Sequence, residues 1–431
     1  MLKSFLSGIG FRGLNILILL IVTPLQAKLL GLDGYGKLVL INSIIGFGGL
    51  LELGLSQASI KFLNSAKEAK ATEFNSIKTV FGLISIFFLI VGSAIYYVLE
   101  GLDILSFGFG DLTYIIIASI SFKVFNQYFN SLLLSRDYFH ESNTSAFVGF
   151  VVRHFVPLGF VILGYTTELA TAFGSLISVL GPMVYSAWMV KRKSDIPWFS
   201  GLELNFAYIR TVFRSAKHLF LSQVGGELAL HADKFIISST LGPASLGVYN
   251  IAYTLVARVN DIGYLLSSIS FPRFCQQIEN GHFQILRALF IRIQVLSYCF
   301  SVLAIAGFFV LGPDLIELWL EGNVPEGAFE VAAILLVGVT VGIGNWSCSN
   351  LLVASHREKY VSRIVLLTSI ISVILCATLS SIYGIIGAAI SWSLSYVVMT
   401  ALFYVVAFRI RLFALDKVRT STEVSTKEEF P

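Results

Sequence analysis

The peptide Leu30-Gly31-Leu32-Asp33-Gly34-Tyr35-Gly36 closes one long apolar run of this chain, and Leu241-Gly242-Pro243-Ala244-Ser245-Leu246-Gly247 closes another. Each peptide leads directly into a second apolar run. We interpret the two peptides as equivalent positions of one ancestral membrane unit that is present twice. Two similar helix bundles in one membrane leave a seam between them, and a seam that opens to either side is the physical basis of a transporter.

The composition indicates that lipid is the main solvent of this chain. Of its 431 residues, 56% are hydrophobic and 13% are charged, and the mean hydropathy is +0.80. A water-soluble domain could not cover so much apolar surface. Apolar stretches of about 18 to 25 residues, long enough to cross roughly 30 Å of hydrocarbon as helices, recur along the whole sequence. They predict about twelve spans, near 9–30, 35–57, 79–99, 112–134, 144–164, 169–190, 217–240, 246–270, 287–311, 328–350, 361–380 and 384–408.

The predicted spans divide into two halves. We therefore expect an all-α integral membrane protein with two pseudo-symmetric six-helix bundles around a central cavity. Residues 1–190 are predicted as the N-terminal lobe and residues 217–408 as the C-terminal lobe. The segment between them, 191–216, is predicted as a cytoplasmic amphipathic connector, and residues 409–431 as a charged cytoplasmic tail.

The connector combines basic residues with one apolar helical face. It begins with Lys191-Arg192-Lys193, and its spacing places Phe206, Ile209 and Phe213 on the same side of a helix. This pattern is typical of a helix that lies in the membrane interface. We expect it either to act as a hinge that gathers anionic lipid or simply to join the two lobes.

Basic residues in the short loops set the predicted orientation. Loops on one side of the membrane carry most of the Lys and Arg residues, whereas the longer loops on the other side, around 100–111 and 314–330, are acidic. Because cytoplasmic loops are enriched in Lys and Arg, both termini are expected in the cytoplasm and the protein in the cell inner membrane. The formal net charge of +4 is then a topology signal and does not indicate a nucleic-acid partner.

Motifs of soluble enzymes are absent from the sequence or out of context. Gly8-Ile9-Gly10-Phe11-Arg12-Gly13 fits a dinucleotide-binding pattern, but no strand precedes it and a membrane span follows. The six histidines show no zinc-ligand spacing, and the sequence has no Walker-type run. We therefore predict no enzyme activity, no cofactor and no metal. Packing within the membrane, rather than a disulfide framework, is expected for the four cysteines, Cys275, Cys299, Cys348 and Cys376.

Span seven carries a row of polar residues at membrane depth. Gln223, Glu227, His231 and Lys234 follow one another at steps of four, four and three, so they share one helical face. A charged side chain at that depth costs roughly 2.5 to 3.5 kcal/mol and needs partners or water. This face predicts a cavity wall, with a static ion-pair network as the alternative.

Span four carries a second polar row. Lys123, Asn126, Gln127 and Asn130 again follow helical spacing. Side-chain amides offer both a donor and an acceptor, which suits sugar hydroxyls. Hydrogen bonding between helices is the alternative interpretation.

The basic residues at membrane depth outnumber the acidic ones. Arg153 precedes Pro157 in a predicted kinked wall, Arg258 is followed by Asp261 in a possible local salt bridge, and Lys28 faces either a cavity or the outer surface. A shared cavity would be positive and would favour an anion such as a phosphate or pyrophosphate group. Moving a charge of about −2 outward across ~100 mV, inside negative, releases on the order of 4 to 5 kcal/mol.

Several short phrases of the sequence carry a family resemblance. They are Ala27-Lys28-Leu29-Leu30-Gly31 with Tyr35-Gly36, Leu51-Glu52-Leu53-Gly54-Leu55, and Ala232-Asp233-Lys234-Phe235-Ile236-Ile237 leading to Leu241-Gly242 and Gly247-Val248-Tyr249. In these phrases the chain resembles the O-antigen and polysaccharide-repeat flippases of the multidrug/oligosaccharidyl-lipid/polysaccharide exporter superfamily. The resemblance implies a twelve-helix, two-lobed, V-shaped carrier that moves undecaprenyl-pyrophosphate-linked oligosaccharide from the cytoplasmic to the periplasmic leaflet.

The same resemblance implies roles and partners. Gln127 and Asn130 would read sugar hydroxyls, and Glu227 with His231 would couple transport to protons or cations. The partners would be the lipid-linked oligosaccharide, membrane lipids, a glycan polymerase and a chain-length regulator. Phosphate and acidic sugars would be held by the basic residues Lys28, Lys123, Arg153, Lys234 and Arg258.

Two other functions compete with this expectation. A drug or cation antiporter of the same superfamily would use Glu227 and Asp261 to hold a cation, and it would need an acidic, aromatic cavity. An integral-membrane glycan polymerase or glycosyltransferase would need a large catalytic loop, which the sequence does not contain.

Overall fold

The computed structural model describes residues 2–65, 71–101, 110–193 and 203–409. Within these ranges the chain forms twelve α-helices and one short 3-10 helix, Gly48–Glu52, and no strand. Residues 194–202 of the predicted connector and the predicted tail from residue 410 onward lie outside them. The α-helices are α1 (Leu2–Phe47), α2 (Leu55–Ser65), α3 (Ala71–Gly101), α4 (Leu112–Ser135), α5 (Phe139–Ile162), α6 (Thr167–Lys193), α7 (Phe206–Leu241), α8 (Pro243–Glu279), α9 (Phe283–Trp319), α10 (Ala328–Gly342), α11 (Asn345–Ala354) and α12 (Glu358–Arg409).

Seven helical segments of the described chain are long and apolar enough to cross a membrane. The prediction of a helical, multi-pass membrane protein is thereby confirmed, while the number of twelve spans stays a prediction. The helices α4 and α7, which carry the two polar rows, are not among the seven, and neither is α8. The seven segments are Gly10–Glu52, Thr72–Val98, Phe139–Ile162, Thr167–Lys193, Phe283–Trp319, Ala328–Ala354 and Glu358–Arg409.

The two repeated peptides contain the same backbone break. Gly31 interrupts α1 at φ 69° and ψ 169°, and Gly242 separates α7 from α8 at φ 85° and ψ 166°. Both glycines occupy the second position of their peptide, and an L side chain is disfavoured in this region of φ. The shared conformation is what equivalent positions of a duplicated unit should show.

The two repeated peptides also touch each other. A Cβ atom on Gly36 would collide with the carbonyl oxygen of Pro243, and a Cβ atom on Gly247 would lie 2.5 Å from the carbonyl oxygen of Leu32. Gly36 and Gly247 are both the seventh residue of their peptide, and Leu32 and Pro243 are both the third. Backbone therefore packs on backbone in a symmetrical way, which only residues without a side chain allow.

The helices group into two compact units, Met1–Gly247 and Val248–Pro431. In the first unit, α5 and α4 pack on α6, α1 packs on α5, and α7 packs on α1 and α2. In the second unit, α10 and α11 pack on α12, and α9 packs on α10. The predicted lobes, which divide at the connector, stay a prediction.

Each unit has an apolar core of its own. Phe81, Tyr128 and Leu132 are fully buried in the first unit, and Phe274 and Leu351 are fully buried in the second. These cores hold the helices that position the polar groups described below.

The chain leaves the α-helical conformation at the end of α1, beside the polar groups of the site. The 3-10 helix Gly48–Glu52 follows α1, then Leu53 and Gly54 adopt positive φ values of 54° and 73°, and α2 begins at Leu55. A Cβ atom on Gly54 would lie 2.7 Å from the carbonyl oxygen of Ala216 in α7. The break leaves the last carbonyl groups of α1 without partners in their own helix.

Candidate functional site

A polar cavity of about 350 Å³ lies among α1, α4, α5 and α6 of the first unit. Side-chain amides are the most frequent polar groups of its lining, which also contains serine hydroxyls, the ring of Phe150 and several small or apolar residues. The amides come from three helices, namely Asn15 of α1, Asn126, Gln127 and Asn130 of α4, and Asn143 of α5. The cavity can therefore offer many hydrogen-bond donors and acceptors to one ligand.

The charge of this cavity is positive. Lys123 of α4 and Arg153 of α5 are its charged lining groups, and no carboxylate belongs to the lining within the described chain. In a site where water is thinned, a Lys and an Arg bind an anion more strongly than they would in bulk water. The arrangement favours a ligand with an anionic group beside hydroxyl or amide groups.

Two contacts between proline and glycine hold the cavity wall formed by α5 and α6. A Cβ atom on Gly149 would lie 2.7 Å from Cγ of Pro182, and a Cβ atom on Gly174 would lie 2.6 Å from Cγ of Pro157. Ser145 strengthens the same wall, because its hydroxyl lies 2.7 Å from Oγ of Ser186. A proline ring of α6 therefore packs on a glycine of α5, and a proline ring of α5 packs on a glycine of α6.

Some of the amide groups in the cavity are satisfied by protein and some are not. Oγ of Ser142 donates to Oδ1 of Asn130 at 2.5 Å. Oδ1 of Asn15 and Oδ1 of Asn126 are buried and have no hydrogen-bond partner among the described residues. A buried acceptor without a partner costs about 1 to 3 kcal/mol, so these two oxygens favour a ligand or water that supplies O–H or N–H donors.

Lys123 connects this cavity to the broken end of α1. Its Nζ atom donates to the carbonyl oxygen of Ile45 at 2.8 Å and to that of Gly46 at 3.1 Å. A positive charge at a helix C-terminus is favourable because of the helix dipole. A Cβ atom on Gly49 would lie 3.5 Å from Nζ of Lys123 and 3.8 Å from Oε1 of Glu227, so the two charged groups are near neighbours.

A second polar cluster surrounds that break. Nε2 of Gln223 donates to the carbonyl oxygen of Gly49 at 3.2 Å and to Oε1 of Glu52 at 3.1 Å. Oε2 of Glu227 lies 3.4 Å from Nε2 of His231, and Glu52 is only 2% exposed. Gln223 and Glu227 therefore lie against the 3-10 helix, and the ring of His231 lies against Gly46 near the end of α1.

Of the seven predicted substrate-binding residues, the structure brings four together and leaves three outside the cavity, and the predicted coupling residues Glu227 and His231 are not part of its lining either. Lys123, Gln127, Asn130 and Arg153 line it. Lys28 is exposed on α1. Nζ of Lys234 donates to the carbonyl oxygen of Leu230 and lies 3.3 Å from Oδ1 of Asp233, and Nη1 of Arg258, in the second unit, lies 3.0 Å from Oδ2 of Asp261.

Several residues of the site were not predicted from the sequence. Asn15 is a single polar residue inside the apolar run of α1, and its isolation at membrane depth was the available signal. Asn143 lies at the edge of a predicted span, where a polar residue is unremarkable. Glu52 ends an apolar run, and nothing in its spacing predicts that it is buried beside Gln223.

The sequence of this chain is similar to those of proteins of polysaccharide biosynthesis and export. Over residues 25–323 it matches the family described as "Polysaccharide biosynthesis protein". It is 22% identical over 383 residues to the "Putative O-antigen transporter" of Shigella flexneri, covering 85% of this chain and 88% of that protein. It is 23% identical over 253 residues to a "Probable low-salt glycan biosynthesis flippase" of Haloferax volcanii, covering 57% of this chain and 50% of that protein.

Two solved structures show the same fold. The lipid II flippase MurJ in an inward closed conformation gives a TM-score of 0.74 at 15% identity, covering 100% of this chain and 94% of that chain. An inward-facing multidrug resistance MATE family transporter of the MOP superfamily gives a TM-score of 0.70 at 13% identity, covering 93% of this chain and 95% of that chain. At such identities the likeness establishes the helical transporter fold and no ligand.

Proposed function

We propose a function from the premise that this chain belongs to the polysaccharide biosynthesis protein family. The protein flips polyprenyl-pyrophosphate-linked oligosaccharide repeat units from the cytoplasmic to the periplasmic leaflet by alternating access. Similar proteins named as an O-antigen transporter and as a glycan biosynthesis flippase support this assignment. The protein acts as a carrier and not as an enzyme.

The observation that carries the proposal is the lining of the first-unit cavity. Lys123 and Arg153 supply charge-assisted donors for a phosphate group or an acidic sugar. The amides of Gln127 and Asn130 supply donors and acceptors for sugar hydroxyls. A headgroup that combines an anion with a polyol matches both kinds of lining group.

Other predicted residues take secondary roles in the proposal. Glu227 and His231 form a titratable pair close to Lys123, which supports a coupling role for protons or cations. Lys28, Lys234 and Arg258 would meet the headgroup at other stages of the cycle. Export of the anionic headgroup is favoured by an inside-negative membrane potential.

The cellular setting follows from the same proposal. The protein resides in the cell inner membrane with both termini in the cytoplasm, since basic residues gather in the loops on the side of the termini. Its glycolipid would be passed on to a glycan polymerase and a chain-length regulator.

The competing function, a drug or cation antiporter, finds less support in the geometry. It would need carboxylates free to hold a cation. Asp261 lies 3.0 Å from Arg258, and the polar cavity has no carboxylate in its described lining.

Reconstitution in vesicles tests the proposal. We expect the purified protein to move a polyprenyl-pyrophosphate-linked oligosaccharide between leaflets, measured as the glycan that becomes accessible to a modifying enzyme on one side. Arg153→Ala should reduce the rate by at least about tenfold, because a buried charge-assisted contact is lost. Arg292→Ala, which removes an exposed guanidinium on α9, serves as the matched control and should retain the rate.

Two results would count against this function. Wild-type protein that moves no lipid-linked glycan, or an Arg153→Ala variant that moves it at the wild-type rate, would remove the cavity from the mechanism. Transport of organic cations in the same vesicles would favour the antiporter instead.

A further inference from the structure

The two cations of the first-unit cavity differ in how the protein holds them. Nζ of Lys123 is anchored by the main-chain carbonyls of Ile45 and Gly46. Arg153 also lines the cavity, but its guanidinium group has neither a hydrogen bond nor an ion pair with any residue of the described chain. Because no protein group anchors the far end of this side chain, the place of the guanidinium depends on the backbone from which it projects.

The turn of α5 that carries Arg153 lacks one of its own hydrogen bonds. Pro157 lies four residues after Arg153 in the same helix. A proline has no N–H group to donate to the carbonyl oxygen four residues earlier, and its ring crowds that carbonyl. The turn from Arg153 to Pro157 is therefore held less firmly by the helix itself, and contacts from neighbouring helices gain importance.

Two neighbouring helices supply such contacts. A Cβ atom on Gly174 of α6 would lie 2.6 Å from Cγ of Pro157, so the proline ring packs closely on that glycine. From α1, Nε2 of Gln26 donates to the main-chain carbonyl oxygen of His154 at 2.9 Å. Since His154 directly follows Arg153 in the chain, this hydrogen bond fixes the backbone at the base of the Arg153 side chain.

The hydrogen bond from Gln26 lies in a buried part of α1. Gln26 is only 1% exposed, and its neighbours Val22 and Thr23 are buried as well. Leaving a buried donor without a partner costs about 1 to 3 kcal/mol, and little solvent can compete for the amide there. The bond therefore holds the turn of α5 at a defined distance from α1.

We propose that Gln26 is a positioning residue for the transported headgroup. By holding the carbonyl of His154, it places the guanidinium of Arg153 against the anion in the first-unit cavity. The proposal rests on the flippase function, and it adds to that function a residue that does not belong to the cavity lining. The donors of a guanidinium lie in a fixed planar fork, so its contact with a phosphate depends on direction. A small shift of the turn therefore weakens the contact.

A double-mutant cycle on the purified full chain in detergent tests this role, with binding of inorganic pyrophosphate measured by calorimetry. Gln26→Leu removes the donor and should weaken binding about fivefold. Arg153→Ala should weaken it by at least about tenfold. In the Arg153→Ala background, Gln26→Leu should cause no further loss, because its effect passes through the guanidinium. Gln26→Met, which also lacks a donor, gives the same test if the leucine variant does not fold.

Gln294→Leu is the matched control for a purely structural effect. In the second unit, Nε2 of Gln294 donates to the main-chain carbonyl oxygen of Gly344 at 3.2 Å, and this glutamine is also buried. Gln26→Leu and Gln294→Leu each remove a buried bond between a side-chain amide and a main-chain carbonyl, so both should lower the thermal midpoint. Pyrophosphate binding should weaken in Gln26→Leu alone.

The outcomes separate the positioning role from the function on which it rests. The positioning role is wrong if Gln26→Leu binds pyrophosphate as the wild type does, or if it weakens binding about fivefold in the Arg153→Ala background as well. Equal weakening by Gln294→Leu would also overturn it, because lost stability would then explain the effect. In all three cases the flippase function stands. If the wild type binds no pyrophosphate, the anion-binding role of Arg153 fails, and both proposals fail with it.

Discussion

The two units contain cavities of similar volume and opposite chemistry. The first-unit cavity, about 350 Å³, is lined by amides, hydroxyls and two cations. A cavity of about 320 Å³ in the second unit, among α8, α9 and α10, is lined only by apolar residues and glycine, including Leu255, Phe308 and Gly307. Volume therefore does not distinguish the two cavities. Our assignment of the headgroup to the first-unit cavity rests on its unpaired amide oxygens and its excess of positive charge.

The two units also differ in where they place charged side chains. The first unit places Lys123, Glu227 and His231 around the break that follows α1. The second unit pairs Arg258 with Asp261 and otherwise presents aromatic rings around Asn260. In our proposed function the anionic headgroup is recognised by the first unit.

The largest effect on stability should come from removing the ammonium group of Lys123, which lines the first-unit cavity and contacts the end of α1. Lys123→Met would leave the carbonyls of Ile45 and Gly46 without their donor and Glu227 without its neighbouring cation. Loss of one partner from a buried charged group costs about 3 to 5 kcal/mol, so the thermal midpoint in detergent should fall strongly.

The double variant Lys123→Met/Glu227→Gln provides the control for this prediction. It should regain part of the stability, because the remaining charge is removed, but it should not regain transport. Full recovery of transport would mean that Lys123 is a structural residue only, and the first-unit cavity would lose half of its cationic character.

We expect intermediate effects from two amides of the same cavity, and they should differ because one amide oxygen has a hydrogen-bond partner in the protein and the other has none. Asn126→Leu removes a buried oxygen without a partner, so stability should hold or rise while glycolipid affinity falls about five- to tenfold. Asn130→Leu removes the acceptor for Ser142 and should lower stability by about 1 to 3 kcal/mol. Thermal midpoints and half-saturating concentrations measured on both variants check this difference, and equal stability changes would contradict it.

The smallest effect is expected in the apolar cavity. A Cβ atom on Gly307 would meet nothing within 4 Å, so Gly307→Ala should fill open space without collision. We expect transport within about twofold of wild type and stability equal or slightly higher, since Ala also favours the helix by about 1 kcal/mol over Gly. A large loss of transport would show that the second cavity is occupied during the cycle, and the contrast between the cavities would have to be redrawn.

Sequence periodicity predicted the parts of the site that lie on single helices. Gln127 and Asn130 share a face with Lys123 because polar residues at membrane depth must avoid lipid, and all three line the cavity. The fold class could be predicted from composition, because so large an apolar fraction can be covered only by lipid. Arg153 was recognised as a charge stranded in an apolar run, and it lines the same wall.

Features that depend on tertiary contacts could not be predicted in this way. The carbonyl partners of Lys123 exist only because α1 is interrupted beyond Phe47, and that interruption carries no periodic signal. Lys234 shares a helical face with Glu227 by spacing, yet its ammonium group contacts the adjacent Asp233. Periodicity fixes the face of a helix, whereas the rotamer of a long side chain depends on its neighbours.

The contact between Gly36 and Gly247 also bears on how the molecule arose. Before a gene duplication joined the two copies, the same glycine would have met its own counterpart across a two-fold axis, as in a homodimer with a self-complementary interface. The first two positions are also identical in the two peptides, whereas others differ, with Tyr35 opposite Leu246 in the alignment of the peptides and Leu32 opposite Pro243. In such an origin the differing side chains would have changed after the fusion, whereas the close packing of main chain on main chain leaves no room for a side chain at the seventh position of either peptide.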